Sequence, residues 1–170
     1  YPLAPEATAY EAIKMAYDTY LAQLVLFGDH RFTIMGDSAG GGLALALAMR
    51  IRDEKIKQPE KIILFSPWLD IALTHPKIKE VDEKDLVLNI DALLEIGKLY
   101  AHNLPLDDYR VSPKFGNLNH LGKILVLVGS EELFYPDCVE FMHLTDLVGT
   151  QITGTVYEEM QHDFMILPIP

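Results

Sequence analysis

Gly36-Asp37-Ser38-Ala39-Gly40 separates a short apolar segment from a run of helix-forming residues. The segment before it, residues 31–35, has the pattern of a buried strand, and residues 41–49 after it are almost free of polar side chains. A strand, a turn and a helix around Gly-x-Ser-x-Gly predict a sharp turn that holds the serine in a strained backbone conformation. We expect the residues at positions 36 and 40 to need to be small, because strand and helix approach each other there. The Ser38 hydroxyl then lies exposed at a helix N-terminus, which favours a negatively charged oxygen.

The composition places the chain among folded, acidic proteins of one domain. Hydrophobic residues make up 49% of its 170 residues, enough for one core, and the net charge is −11. So acidic a chain argues against nucleic acid or an anionic membrane as a partner. Cys138 is the single cysteine, which excludes an internal disulfide, and we interpret it as a buried helix residue. The sequence has neither a signal pattern nor an apolar run of about 18 residues, and we expect a cytoplasmic protein.

Short apolar segments with helical patterns between them predict an α/β fold. The predicted strands are residues 31–36, 61–66, 123–128 and 152–157, and the last alternates enough to lie near an edge. Helices are predicted at residues 8–26, 91–102 and 136–148, and one more runs from the motif to about residue 53. This alternation requires crossover connections, which give a parallel sheet of about four strands with helices on both faces. We interpret residues 1–170 as a single incomplete domain, with residues 70–120 as a cap-like insertion over the carboxyl edge of the sheet.

A serine nucleophile needs a base, and the base needs an acid that orients it. Among the histidines, only His162 lies in a loop just after the last predicted strand, where it can return to the carboxyl edge. The others precede a strand, lie on predicted helices or belong to the insertion: His30, His75, His102, His120 and His143. Glu131 and Glu132 follow the third strand directly, whereas the charge of a helix N-terminus is enough to explain Asp137. We predict that Glu132 orients His162, and we keep Asp137 as the alternative acid.

Five segments of the chain together carry a resemblance to a known family: Tyr1-Pro2-Leu3-Ala4-Pro5-Glu6, Gly36-Asp37-Ser38-Ala39-Gly40-Gly41, Ser66-Pro67-Trp68, Gly129-Ser130-Glu131-Glu132-Leu133 and His162-Asp163-Phe164. In this order they resemble the hormone-sensitive-lipase-like branch of the α/β-hydrolases, which includes bacterial acetyl esterases and other short-chain carboxylesterases. The resemblance covers essentially the whole chain. It implies that Ser38 is the nucleophile and His162 the base. The acid falls at Glu132, where the family more often has aspartate.

The same resemblance implies that the chain is the C-terminal part of a longer esterase. The family has a His-Gly-Gly-Gly segment upstream of the Tyr-x-Leu-Ala-Pro-Glu stretch, and its backbone N–H groups form most of the oxyanion hole. The Ala39 N–H would then be the one donor left, and we expect the 170 residues alone to be nearly inactive. The strand at residues 31–36 would also lack its outer neighbour. Such an open edge predicts a homodimer through that strand, or poor solubility.

These observations predict that the parent protein is a serine hydrolase acting on short-chain carboxylic esters through an acyl-enzyme. We expect no cofactor and no metal, since the sequence shows no cluster of histidine and cysteine. The competing interpretation is a non-catalytic protein of the same fold that binds a small molecule. The intact set of Ser38, His162 and Glu132 favours the enzyme, because a binding protein has no need of all three. Amide hydrolysis would use the same residues.

Overall fold

In a computed structural model, which describes residues 1–28 and 30–166, helices alternate with the strands of one sheet. The elements in chain order are α1 (Ala9–Phe27), β1 (Thr33–Asp37), α2 (Ser38–Asp53), β2 (Lys61–Phe65), α3 (Ile78–Val81), α4 (Ile90–Ala101), a 3₁₀ turn (Pro113–Phe115), β3 (Gly122–Gly129), α5 (Tyr135–Met142) and β4 (Thr150–Tyr157). The strands pair in the order β1-β2-β3-β4, and every pair is parallel. The predicted α/β class and the parallel sheet are therefore confirmed.

One face of the sheet carries the core. Gly36, Leu64, Val126 and Gly154 form a row across the four strands, in register. Helix α2 packs against this row beside Gly36, and the Met142 side chain of α5 packs against it beside Gly154. Both helices therefore lie on the same face, and the β2 and β3 side chains between them are fully buried. Burial of one such Leu or Val side chain contributes about 1.5–3 kcal/mol.

The opposite face of the sheet is covered less by the described residues. Met35 is 59% exposed there, and Thr33 and Thr155 on the same face are also exposed. Within residues 1–28 and 30–166, the helices that contact the sheet thus lie on one side. The alternation of strands and helices predicts helices on both faces of the sheet, whereas the described residues place them on one face.

Helix α5 is shorter than its sequence pattern predicts. The pattern indicates a helix over residues 136–148, but the helix ends at Met142, so the predicted end is wrong. The reason lies in contacts made by Val148 with the segment before β3. Its N–H donates to Asn119 Oδ1 at 2.8 Å, and its carbonyl accepts the His120 N–H at 2.7 Å. These bonds lead the chain into β4 and are incompatible with a helix continuing through Val148.

Residues 70–120 connect β2 with β3 and contain α3, α4 and the 3₁₀ turn. Helix α4 begins where the Asn89 side chain accepts the Ala92 N–H at 3.0 Å. The first and last parts of the insertion are tied together through Ser112, whose hydroxyl accepts the Ile71 N–H at 3.0 Å and donates to the Leu106 carbonyl. The buried Asp70 carboxylate accepts two more N–H groups of this loop. No helix in the described ranges is both long and apolar enough to span a membrane.

Candidate active site

Ser38 lies at the turn from β1 into α2. It is the first residue of the helix, and its φ of +51° is in the left-handed region. That conformation costs a non-glycine residue on the order of 1–3 kcal/mol and persists only where the surrounding structure imposes it. The Ser38 carbonyl accepts the Trp68 N–H at 2.9 Å, which fixes the turn to the loop after β2.

Close packing at this turn excludes a side chain at two glycines, Gly36 and Gly41, and only Gly36 belongs to the Gly-x-Ser-x-Gly motif. A Cβ on Gly36 would lie 2.1 Å from the Gly40 carbonyl oxygen, so this position accepts no side chain. At Gly40 a Cβ would meet nothing nearer than 3.7 Å, so close packing does not require a glycine there. The close approach on the helix side falls instead at Gly41, where a Cβ would lie 2.8 Å from Pro67 Cβ. The start of α2 is therefore packed directly on the loop that follows β2.

Three side chains from separate parts of the chain form a hydrogen-bonded row at the carboxyl ends of the strands. His162 Nε2 lies 3.0 Å from Ser38 Oγ, and His162 Nδ1 lies 2.7 Å from Glu132 Oε2. Glu132 is 0% exposed and His162 is 4% exposed. The second Glu132 oxygen accepts the Gly129 N–H at 3.2 Å. With Nδ1 donating to Glu132, Nε2 carries the lone pair that can accept the Ser38 proton.

The surrounding charges favour the protonated form of His162. Burial by itself would lower the pKa of His162, but the hydrogen bond that Glu132 accepts from Nδ1 and the negative charge of Glu132 both raise it. The Asp163 and Asp85 carboxylates add to this effect, and the pKa of His162 is raised above its ordinary value. The imidazole is therefore a stronger base than a free histidine.

Aromatic rings hold the imidazole from one side. The Phe134 ring meets His162 edge-on, with centroids 5.1 Å apart and planes at 86°. Trp68 stacks on Phe134, with centroids 5.6 Å apart and planes at 15°. Both rings are buried, so the orientation of His162 is set by packing as well as by Glu132.

Asp137, the alternative acid, lies elsewhere. Its carboxylate is 2.5 Å from Lys114 Nζ, and Glu140 joins the same ammonium at 3.1 Å. Asp137 thus ties α5 to the insertion, and the carboxylate on His162 Nδ1 is that of Glu132. Cys138 is fully buried, as expected, with Sγ 3.7 Å from the Pro67 carbonyl oxygen.

The remaining predicted site residue, Ala39, directly follows Ser38. Ala39 is in the first turn of α2, where backbone N–H groups have no partner within the helix. Glu131, the neighbour of the predicted acid, accepts the Gln161 side-chain N–H at 3.1 Å, whereas Glu132 is the carboxylate on His162. Adjacent carboxylates therefore have different partners, as their positions at the strand end predict.

Two carboxylates of the site were not recognised from the sequence. Asp163 Oδ2 lies 3.2 Å from His162 Nε2, and its position directly after His162 is a signal that could have indicated it. Asp85 belongs to the insertion, and its Oδ2 accepts the Leu133 N–H at 2.7 Å, next to Glu132. No pattern in the sequence connects Asp85 with a residue 48 positions later.

An apolar cavity of about 200 Å³ opens beside Ala39. Its lining includes Leu43 of α2, Trp68 and the α4 residues Ile96 and Tyr100. Within the ranges that the structure describes, no group of histidine, cysteine and carboxylate side chains is arranged to hold a metal ion. The site thus offers a hydroxyl, a base and an apolar cleft.

A parallel sheet with a serine at a strand-to-helix turn and a paired histidine at its carboxyl edge is the arrangement of the α/β-hydrolases. Residues 1–166 match the family model described as the alpha/beta hydrolase fold, and the chain belongs to this family.

Relatives and solved structures agree with this assignment. The chain is 36% identical over 168 residues to an esterase of Acinetobacter venetianus, covering 98% of this chain and 55% of that protein. It is 30% identical over 161 residues to an acetyl-hydrolase of Streptomyces hygroscopicus, covering 95% and 53%. The crystal structure of EstE7, a hormone-sensitive-lipase homologue from a metagenome library, is 28% identical and has a TM-score of 0.91 over 97% of this chain and 57% of that one. The resemblance to the hormone-sensitive-lipase-like branch is confirmed. The chain spans about half the length of the curated relatives it matches.

Proposed function

We propose that the protein hydrolyses short-chain carboxylic esters through an acyl-enzyme formed on Ser38. The observation that carries the proposal is the row of two hydrogen bonds, 3.0 Å from Ser38 to His162 and 2.7 Å from His162 to Glu132. The similarity to an esterase and to an acetyl-hydrolase supports the same class of reaction.

The chemistry follows from the roles that the geometry allows. Ser38 Oγ attacks the ester carbonyl while its proton passes to His162 Nε2, and His162 returns that proton to the leaving alcohol. A water molecule then attacks the acyl-enzyme with the same base. Glu132 holds the tautomer of His162 with the proton on Nδ1 and stabilises the imidazolium. The Ala39 N–H, in the first turn of α2, donates to the oxyanion.

The size of the cavity limits the substrate. Its volume of about 200 Å³ is below the roughly 300–1,000 Å³ of pockets that bury drug-sized ligands. Its walls, formed by Leu43, Trp68 and Tyr100 among others, are largely apolar. These dimensions fit an acyl or alkyl group of a few carbons. We further propose that residues 70–120 act as a cap-like part of this single α/β-hydrolase domain, since Ile96 and Tyr100 of the insertion line the cavity.

Covalent labelling tests the proposal directly. The protein in its full natural length is treated with an organophosphate, and the modified peptide is identified by mass spectrometry. We expect one adduct, on Ser38, together with hydrolysis of p-nitrophenyl esters that declines with acyl length. Ser38→Ala is expected to lose both the adduct and the hydrolysis. Binding of small esters without any adduct or turnover would instead support a non-catalytic binding protein.

For the 170 residues expressed alone, we propose slow turnover. Among the described residues, the Ala39 N–H is the donor that we assign to the oxyanion hole. Each donor missing from an oxyanion hole lowers kcat by a factor on the order of 10²–10³. Activity of the isolated chain equal to that of the full-length protein would refute this.

The open edge of β1 supports a second proposal for the isolated chain. In the described sheet β1 pairs with β2 alone, and an edge strand of this kind is a template for another chain. We propose that the isolated chain forms a homodimer through this edge, at residues 31–36. Sedimentation velocity at micromolar concentration tests it, and a purely monomeric profile would contradict it.

A further inference from the structure

His162 has a carboxylate at each of its ring nitrogens. Glu132 lies on Nδ1, and on the other side Asp163 Oδ2 lies 3.2 Å from Nε2, the nitrogen that Ser38 Oγ approaches to 3.0 Å. The Asp163 side chain is 13% exposed, so water screens it only weakly. The mechanism described above uses Glu132 and leaves Asp163 without a role.

The backbone holds Asp163 in this place under strain. Its φ of +53° is in the left-handed region, and its N–H donates to Ser66 Oγ at 3.3 Å. Ser66 is fully buried at the end of β2 and has a φ of +43°. Two strained non-glycine residues therefore meet directly beside His162. Strain of this kind survives where the surrounding structure imposes it, and it is concentrated at functional sites.

The protonation state of the Asp163 carboxylate is coupled to that of the His162 imidazole. The pKa of Asp163 is raised to about 6, because burial outweighs the opposing charge of His162 and the Asp37 and Glu132 charges act in the same direction as burial. The charge of Asp85 also raises the pKa of His162. A neutral imidazole presents a lone pair at Nε2, which repels a carboxylate. An imidazolium presents an N–H there, which a carboxylate accepts.

We propose that Asp163 is a positioning residue that acts through His162 by stabilising the imidazolium at Nε2. The inference rests on the proposed function. When Ser38 Oγ attacks, its O–H bond breaks and an N–H bond forms at Nε2. This N–H faces Asp163 Oδ2 until the proton passes to the leaving oxygen and the imidazole becomes neutral again. Asp163 keeps its charge throughout and exchanges no proton in the cycle.

The same geometry sets the behaviour in acid. Because Asp163 and His162 interact directly, they take up protons as a pair rather than singly. The first proton gives either the imidazolium or a protonated Asp163, whose O–H donates to the Nε2 lone pair. In both forms Nε2 can no longer accept the Ser38 proton. The first protonation of the pair therefore ends activity as the pH falls.

Charge removal at Asp163 tests this in the protein at its full natural length. Asp163→Asn and Asp163→Ala are compared with Glu131→Gln, which removes a nearby charge whose partner is Gln161. The first readout is the pKa of His162 from the NMR titration of its ring Cε1–H, which requires no turnover. The second is the pH dependence of kcat/KM for a short activated ester.

A stabilising carboxylate raises the pKa of its partner, so its removal lowers that pKa. In both Asp163 variants we expect the pKa of His162 to fall by about 0.5–1 unit, and the acid limb of kcat/KM to move to lower pH by the same amount. We expect kcat at the optimum to fall about 3- to 10-fold, because the imidazolium loses one of its two carboxylates. Glu131→Gln should change neither quantity.

An unchanged pKa of His162 in both Asp163 variants would overturn the inference, even if kcat falls, because a merely structural role would leave that pKa in place. Absence of ester hydrolysis in the unmodified protein would refute the proposed function instead. The NMR titration would still decide whether Asp163 stabilises the imidazolium.

Discussion

Replacing Glu132 and Asp137 in turn decides which carboxylate serves His162. In Glu132→Gln, the Gly129 N–H that now donates to one carboxylate oxygen at 3.2 Å will hold the amide oxygen in that place. The amide nitrogen then takes the position 2.7 Å from His162 Nδ1 and donates to it. This forces the ring proton onto Nε2, which can no longer accept the proton of Ser38. Loss of the correct tautomer costs about 10⁴-fold in kcat.

Asp137→Asn is the matched control, because Asp137 is also a buried acid but is paired with Lys114. Removing one partner of a buried ion pair costs about 3–5 kcal/mol. Here Lys114 keeps Glu140 at 3.1 Å, and we reduce the expected cost to about 1–3 kcal/mol. For a domain of this size that lowers the melting temperature by about 2–12 °C. We expect kcat of the folded protein to stay within about threefold of the unmodified value.

The two variants are compared in the full-length protein by initial rates on a short p-nitrophenyl ester and by thermal unfolding. Glu132→Gln should lose turnover while its melting temperature changes little, and Asp137→Asn should do the reverse. A large loss of kcat in Asp137→Asn with unchanged stability would refute the assignment of Glu132 as the acid.

Three further outcomes follow from the geometry. Because the pKa of His162 is raised and the base must be neutral, the acid limb of kcat/KM should lie above pH 6.5, and a limb below that value in the pH profile would contradict this. Gly36→Ala should abolish soluble protein, since its Cβ would lie 2.1 Å from a carbonyl oxygen. Gly40→Ala should leave the melting temperature unchanged or higher, because its Cβ meets no close atom. Equal yields of soluble protein from the two variants would show that the turn is not this tightly packed. Ile96→Trp, which narrows the cavity, should lower kcat/KM for hexanoyl esters more than for acetyl esters, and Leu99→Trp, half-exposed on the same helix, should leave that ratio unchanged.

The sequence was informative wherever one short segment determines its own structure. The strands around Ile63 and Val126 were predictable because continuous apolar runs between turn residues are typical of buried parallel strands. The proximity of Ser38, Glu132 and His162 was predictable because each lies within five residues after the end of a predicted strand, and the carboxyl ends of parallel strands meet at one edge of a sheet. The distances between these three side chains come from the structure, because the sequence gives only their order along the chain.

The sequence was misleading where a distant residue decides the local structure. The pattern after Met142 is helical, but Asn119 and His120 bind Val148 and end the helix early. The Gly-x-Ser-x-Gly motif places the second close approach at Gly40, but the contact that excludes a side chain comes from Pro67, which packs on the next residue, Gly41. Both cases depend on a partner well separated in the chain, and intrinsic propensity carries no information on such partners.

Asp85 shows how such a distant contact can reach the site itself. This residue of the insertion is 9% exposed; one carboxylate oxygen accepts the Leu133 N–H at 2.7 Å, and the other accepts the Leu88 N–H at 2.7 Å. Asp85→Ala leaves these N–H groups without an acceptor. The unpaired N–H that is more buried lowers the free energy of unfolding by about 1–3 kcal/mol. The substitution also removes a contact that holds the backbone beside Glu132. We therefore expect a melting temperature lower by about 2–12 °C and a kcat lower by about tenfold. Asp82→Ala, on an exposed residue of the same segment, is the control for both measurements. A loss of stability without any loss of kcat would show that the insertion supports the fold and does not position Glu132.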